Sequence, residues 1–442
     1  MAFIRRIEIN GLFGLYNHSI DLRSDSPVTI VAGPNGIGKT TLLGLTRAVL
    51  QGNYREAVRT SFDSLTVESD ADQRLTATLL PPIDADASEE EGTPRLHLTV
   101  QHGRETRGEA VIEVPLHPPD LALPSYVDVH GRDTYYDSRL GDVISLDEAI
   151  LRYGRRRPGI AHSPSVNPPM PEWFDPDHWR VDFIETKRLD TLISRGLSPR
   201  RRDPLPAPID VYLGNVRQAL EGARRESTAI RQRLDRTYVR RLLTRSKATV
   251  NEVVLRDRYS RIETLAEELQ ANGLLSDSLE VLQSGKLTPT DKRIVNLFLD
   301  DFEAKLKPLI PVSAKLEQLR TVIGAKFLNK TMAVDPTSGI LFLSEPRNEV
   351  ISPDALSSGE QHALALMSRL LFSEKVDTTV LIDEPELSLH VSWQHAMIDD
   401  LAEIAPVAEL RFLLATHSTA IINNRWELVE ELGEIDDSRE RG

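Results

Sequence analysis

One octapeptide constrains this chain more than any other feature: Gly33-Pro34-Asn35-Gly36-Ile37-Gly38-Lys39-Thr40, which satisfies G-x-x-x-x-G-K-[ST]. Such a match carries weight only between a strand and a helix, and both flanks comply. Before it runs Pro27-Val28-Thr29-Ile30-Val31-Ala32, apolar enough for a buried sheet. After it, Thr40 to Leu50 places Leu42, Leu43, Leu45, Ala48 and Val49 on one helical face, and Gly52 suits the helix end. In that setting the glycines let backbone N–H groups turn inward on phosphate oxygens, and the helix N-terminus adds positive potential. Lys39 would reach the outer phosphates and Thr40 could ligate a divalent cation. Asn35, Gly36, Gly38, Lys39, Thr40 and Thr41 are the candidate phosphate-contacting residues.

Far downstream, Thr379-Val380-Leu381-Ile382-Asp383-Glu384-Pro385 is an apolar strand that ends in two carboxylates. Alone it would read as a buried strand with a polar end. Coupled to the phosphate loop it assigns Asp383 to a metal, directly or through water, and Glu384 to polarising a water that attacks the terminal phosphate. A third strand, Arg411 to Thr416, ends in His417, whose imidazole could sit beside that phosphate as a sensor. Leu356-Ser357-Ser358-Gly359-Glu360-Gln361 opens a helix, and a Ser followed by Glu is on its own a plain N-terminal cap.

The rest of the chain supplies a frame. Residues 2–10 read as a strand, 60–130 as a meander with an acidic turn at Glu89-Glu90-Glu91, and 156–178 as Pro-rich extended chain. Helix-period sequence fills 207–330, with heptad-like spacing at Leu265, Leu269 and Leu274, too short for a long coiled coil. The α/β pattern returns near 340. Zero cysteines exclude disulfides and thiol catalysis, and no run of about 18 apolar residues offers a membrane span, so no membrane partner and a cytoplasmic location are expected. The net charge of −14 argues against a surface that coats nucleic acid throughout. Yet residues 151–260 hold 23 Lys/Arg against 13 Asp/Glu, including Arg155–Arg157, Arg200–Arg202, Arg240, Arg241, Arg245 and Lys247. A solvated or internally paired helix face is the commoner reading of such a run, and a polyanion-binding patch the sharper one.

Taken in order, the phosphate loop, Leu356–Gln361, Asp383-Glu384-Pro385 and Thr416-His417-Ser418 resemble the motif set of ABC ATPases, with Leu356–Gln361 as the signature. The resemblance implies an α/β, ABC-type P-loop ATPase head, a mixed sheet with flanking helices, carrying a helical insertion. It implies ATP and Mg²⁺ as cofactors, with Ser357, Ser358 and Gly359 of one head contacting the γ-phosphate held by a second head. Glu386-Leu387-Ser388-Leu389-His390 would be the D-loop. The implied layout is an N-terminal lobe at 1–190, a helical platform at 191–335, a C-terminal lobe at 336–430 and an acidic tail at 431–442. ABC proteins also place a Gln near Mg²⁺; this chain has no clear equivalent, and Lys187 is the nearest candidate.

More than 300 residues separate the phosphate loop from the signature, unlike the compact transporter ATPases. Asp182–Leu189, Arg233–Tyr238, Leu356–His362, Glu384–His390 and Ala415–Ser418 resemble the SMC/RecF/OLD-like, AAA-labelled ABC ATPases of bacterial anti-phage defence, such as the ATPase subunits of Septu and PARIS. Only 25 residues follow His417, so the TOPRIM domain of OLD nucleases is not expected within the chain. That resemblance implies a sensor ATPase, a homodimer of heads or higher homo-oligomer, controlling a separate HNH or TOPRIM-like effector nuclease, with nucleic acid reaching the 151–260 segment. A repair ATPase of the RecF/SMC type and a slow-turnover ATP-dependent scaffold are the alternatives.

Overall fold

A computed structural model describes residues 2–83, 93–114, 127–129, 134–137, 142–145, 168–185, 208–244, 251–275, 285–335, 339–372, 376–387 and 389–432. The first two strands, β1 (Ile4–Leu12) and β2 (Tyr16–Asp21), form a hairpin, and β3 (Val28–Ala32) leads through the phosphate loop into helices α1 (Lys39–Leu50) and α2 (Tyr54–Ala57). Strands β4 (Ser64–Ser69), β5 (Gln73–Ile83), β6 (Thr93–His102) and β7 (Glu105–Glu113) follow as the expected meander. A small antiparallel sheet joins β8 (Val127–Val129), β9 (Thr134–Asp137) and β10 (Asp142–Ser145), and β11 (Val181–Glu185) comes next.

Four helices then run in succession: α3 (Pro208–Thr244), α4 (Glu252–Ala271), α5 (Pro289–Leu306) and α6 (Ile310–Gly324). A small sheet of β12 (Lys330–Asp335), β13 (Gly339–Ser344) and β14 (Val350–Ile351) precedes α7 (Ser358–Phe372). The chain returns to α/β alternation with β15 (Thr378–Asp383), α8 (Val391–Ala408), β16 (Leu410–Ala415), α9 (Thr419–Ile422) and β17 (Val429–Glu431).

The expected α/β architecture of sheet and flanking helices is built around two large sheets. One is five-stranded and wholly parallel, in the order β11-β15-β16-β3-β17; the other is six-stranded and antiparallel, in the order β2-β1-β4-β5-β6-β7. Side-chain alternation along the parallel strands explains how one sheet serves two cores. Val28, Ile30, Val380, Ile382, Phe412 and Leu414 face α7, α8 and the helices between α3 and α6. Val31, Val181, Leu381, Leu413 and Ala415 face α1 and the antiparallel sheet. Buried on both faces, these strands read as continuous apolar runs. The two sheets are also joined by a hydrogen bond, in which Ile4 N–H donates to Thr379 Oγ1 at 3.2 Å.

The helical segment is no separate body. Ile209, Leu213, Val216, Leu220 and Ala223, spaced along one face of α3, belong to the same core as α7 and α8. Beyond Ala223 no residue of α3 is buried, and Val239 and Leu243 are exposed. Lys326, just past α6, reaches Asp400 of α8 at 2.5 Å, both buried. Removing one member leaves the other charge buried and uncompensated. Lys326→Ala is therefore expected to cost about 3–5 kcal/mol, whereas the apolar pair Lys326→Met with Asp400→Leu should cost much less. Urea denaturation of the two variants checks this, and equal losses would contradict it.

Candidate functional site

Parallel register lines up the ends of four strands. Glu185 is paired with Asp383, Asp383 with Ala415, and Ala415 with Val31, so the loops that leave these strands emerge on one edge of the sheet. The carboxyl edge of an open parallel sheet is where such folds hold ligands. Here it brings together residues that lie up to 378 positions apart in sequence.

The phosphate loop is shaped by its glycines and by the hairpin beneath it. Gly38 has φ +96°, and a Cβ there would lie 2.5 Å from Leu12 Cδ2 and 3.2 Å from Phe13 Cε2. Any side chain would thus be strained and blocked. Gly36, at φ +86°, has open space around its missing Cβ, and Pro34, Asn35 and Gly36 are exposed. Underneath, the buried imidazole of His18 bonds through Nε2 to the Ile37 carbonyl at 2.9 Å. That oxygen can only accept, so Nε2 carries the proton. Neither His18 nor the exposed Phe13 has a local sequence signal that marks it; each is identified by its approach to the loop from the neighbouring hairpin.

Lys39 opens α1 and is buried. Its ammonium donates to the carbonyls of Gly33 at 2.8 Å and Pro34 at 3.0 Å and lies 3.3 Å from His417 Nδ1. Burial pushes the Lys39 ammonium below the usual lysine value, while the carboxylates of Asp383, Glu384 and Glu386 pull it back up. Thr40 Oγ1 donates to Asp383 Oδ1 at 3.0 Å. A hydroxyl oxygen and a carboxylate held this close form an all-oxygen donor set that suits a hard divalent cation shared with phosphate oxygens. Glu384 adopts φ +47°, a conformation that L side chains rarely take, and its N–H is tied to the Ala415 carbonyl at 2.9 Å.

Glu386, which lies in a loop with no sequence mark of its own, fixes the His417 side of the site. It accepts from Thr416 Oγ1 at 2.8 Å and from the His417 N–H at 3.1 Å. Gln394 of α8 braces the same turn, accepting from Ser418 Oγ at 2.8 Å while donating to the Glu386 and Leu389 carbonyls. Ser388 lies outside the described residues.

The signature residues sit elsewhere. Ser357 and Glu360 form a reciprocal cap at the start of α7, with Ser357 Oγ and N–H both donating to Glu360 Oε2 and Lys330 holding Oε1 at 2.5 Å. Ser357 and Ser358 are exposed and Gly359 is half-buried. The capping reading and an outward-facing surface therefore hold together.

Lys187 lies outside the described residues. Glu185, at the end of β11, pairs in register with Asp383 and lines with Thr40, Thr41, Gly44, Arg47 and Phe183 a cavity of about 240 Å³. The basic run is not wholly free. Arg241 is bound by both oxygens of buried Asp301, Arg258 by Glu303 and Asp300, and Arg256 by Glu252. Arg233, Arg236 and Arg240 remain at exposed positions, while Arg155–Arg157, Arg200–Arg202, Arg245 and Lys247 lie outside the described residues.

Burial holds the His18 imidazole below the ordinary histidine value of 6.5. The unfolded chain therefore takes up a proton at this position before the folded chain does. Stability falls as pH drops through 6.5 and levels off below the folded value. His18→Gln keeps a donor for Ile37 and removes the titration, so its melting temperature should gain on wild type as pH falls from about 7.5 to 5.5. A pH-independent offset would contradict this.

No curated protein matches the chain. A family model described as "AAA domain" matches residues 6–118. Solved structures similar to this chain include the Smc head domain with an extended coiled coil bound to the C-terminal domain of ScpA, from Pyrococcus furiosus, at 15% identity and TM-score 0.35, covering 96% of this chain and 92% of that one. Another is the SmcHead bound to the C-winged helix domain of ScpA, at 14% identity and TM-score 0.33, covering 96% and 92%. A third is the SMC head domain from Thermotoga maritima, at 11% identity and TM-score 0.32, covering 97% and 94%. Residues 182–423, more than half of the chain, match a family model that takes in Glu185, the signature, Asp383-Glu384 and His417, and the chain belongs to that family, described as "AAA domain, putative AbiEii toxin, Type IV TA system".

Proposed function

We propose that this protein binds MgATP at the edge formed by the phosphate loop, Asp383, Glu384 and His417, and hydrolyses it between two copies of the chain. The observation that carries the reading is the meeting of Lys39, Thr40, Asp383 and His417 at one end of a parallel sheet, with Thr40 and Asp383 in direct hydrogen bond. Asn35, Gly36, Gly38 and Thr41 complete the phosphate cradle, where backbone N–H groups and the α1 N-terminus favour negative charge.

Lys39 is held by two loop carbonyls and can exchange them for phosphate oxygens without leaving its pocket. Burial disfavours its charge, and a triphosphate restores it. Mg²⁺, held by Thr40 and Asp383, would neutralise charge developing on the phosphoryl oxygens. Glu384, the residue after Asp383, takes a proton from the attacking water as general base. His417 lies against Lys39, its turn clamped by Glu386, and reads whether the terminal phosphate is present.

Ser357, Ser358 and Gly359 face outward at the start of α7, which suits contact with a nucleotide bound to a second head. Closure then depends on ATP, and release on its hydrolysis. The helices from α3 to α6 share a core with α7, so a shift at the signature would be felt in that block. Its exposed end, with Val239, Leu243 and Arg240, is the surface offered to an effector or to nucleic acid.

The family description names a toxin of a type IV toxin–antitoxin system, which favours a defence role over chromosome maintenance. On this reading the protein is a sensor ATPase that controls a separately encoded nuclease.

Lys39→Ala should abolish ATP turnover in a phosphate-release assay. Glu384→Gln should lower kcat by about 10²–10⁴-fold while keeping ATP binding. Wild-type turnover in both variants would refute the assignment. Turnover stimulated by chromosomal DNA alone, independent of any neighbouring gene, would favour the repair reading instead.

A further inference from the structure

We propose that the outward face of the second half of α3 docks an acidic amphipathic helix of a partner protein. The inference deepens the reading that the exposed end of the helical block meets an effector, and it rests on that reading only for which protein carries the helix.

Spacing and exposure define the face. Ala229, Gln232, Arg236, Val239 and Leu243 follow one another at alternating steps of three and four residues, and all of them are exposed. That is the spacing of a coiled-coil seam, in which every member meets the partner helix. The opposite side of the same turns is occupied. Ser227 Oγ donates to the Lys305 carbonyl at 2.7 Å, and Arg241 is held by both oxygens of buried Asp301, so the seam is the side of α3 turned away from α5. Its last two members, Val239 and Leu243, are 67% and 76% exposed. They stand one helical turn apart, where a single apolar stripe of a second helix covers both.

Charge selects the partner. Arg236 lies within the seam, and Arg233 and Arg240 flank it on one side, one heptad apart. None of the three forms an ion pair among the described residues. Other arginines of the helical block behave differently: Arg241, Arg256, Arg258 and Arg261 are each bound by a carboxylate. The carboxylates on these turns of α3 are Glu226 and Asp235, and Asp235 is engaged by Lys305 at 3.5 Å. Charges beside a seam set partner choice, so the covering helix bears Glu or Asp opposite the three arginines. A second copy of the chain fits poorly. In parallel it sets Arg236 against Arg236, and antiparallel it sets Arg233 against Arg240. A nucleic-acid backbone answers the arginines with phosphate, yet it offers no apolar surface to Val239 and Leu243.

The test uses the full chain without nucleotide and reads fluorescence anisotropy at low ionic strength. The probe is a labelled synthetic peptide of about three heptads with Leu on its seam and Glu on its flanks; a matched peptide with Lys on the flanks and a labelled DNA duplex are the comparisons. Wild type should bind the Glu peptide and not the Lys peptide. The combined variant Arg233→Glu, Arg236→Glu and Arg240→Glu should reverse that preference. Val239→Ser with Leu243→Ser should weaken the Glu peptide by about 10-fold or more while keeping the wild-type denaturation midpoint, because both side chains are exposed. The inference is overturned if wild type does not bind the Glu peptide, or if binding survives the charge reversal. It is equally overturned if the DNA duplex alone binds and is lost on charge reversal, which assigns the face to nucleic acid. Since no nucleotide is present, failure here leaves the MgATP reading standing.

Discussion

Everything in this structure depends on the registration of four parallel strands that end together. The pairings of Glu185 with Asp383, Asp383 with Ala415 and Ala415 with Val31 bring residues from opposite ends of the chain to one edge. A slip of one residue on any strand would send its functional side chain to the other face of the sheet. Burial on both faces prevents such slips, because Val380 and Ile382 must meet one core while Leu381 meets the other. The hydrogen bond between Thr40 and Asp383 is the local outcome of that global constraint. The chemistry proposed for the site is thus underwritten by hydrophobic patterning far from any phosphate.

The site is also strained and charged in ways that a purely structural edge has no reason to be. Lys39 is buried against its preferred protonation state, and Glu384 adopts a backbone conformation rarely used by L residues. Each feature costs folding free energy, about 1–3 kcal/mol for a strained backbone position. Such costs gather where a ligand offsets them. The outward face of α7 has a different logic: its cap is internally satisfied, yet Ser357 and Ser358 remain exposed.

How much of this was legible beforehand follows from the range of the forces involved. The phosphate loop, its strand and its helix are local, and the pattern around Gly33–Thr40 predicts β3 and α1 to within a residue or so. The carboxylate pair at the end of β15 and the His after β16 are equally local. Glu185 is not, because its meaning arises from pairing with a strand almost two hundred residues away. His18 and Phe13 act through a hairpin that folds under the loop, and Arg241 is engaged by Asp301, 60 residues on, which no charge count can reveal. The division of the strands between a parallel and an antiparallel sheet likewise comes from long-range pairing that short-range periodicity does not encode.

The central claim is that one triphosphate is shared by the phosphate loop of one chain and the α7 N-terminus of another. The absence of cysteine from the sequence makes a direct measurement available. Cysteines introduced as Asn35→Cys in one tagged chain and Ser358→Cys in a second, both in the Glu384→Gln background, can be oxidised with and without MgATP and scored for covalent heterodimer. The account predicts an inter-chain disulfide that forms rapidly with MgATP and not with MgADP or without nucleotide. Failure to cross-link under any nucleotide condition, with both variants folded and binding ATP, would contradict it.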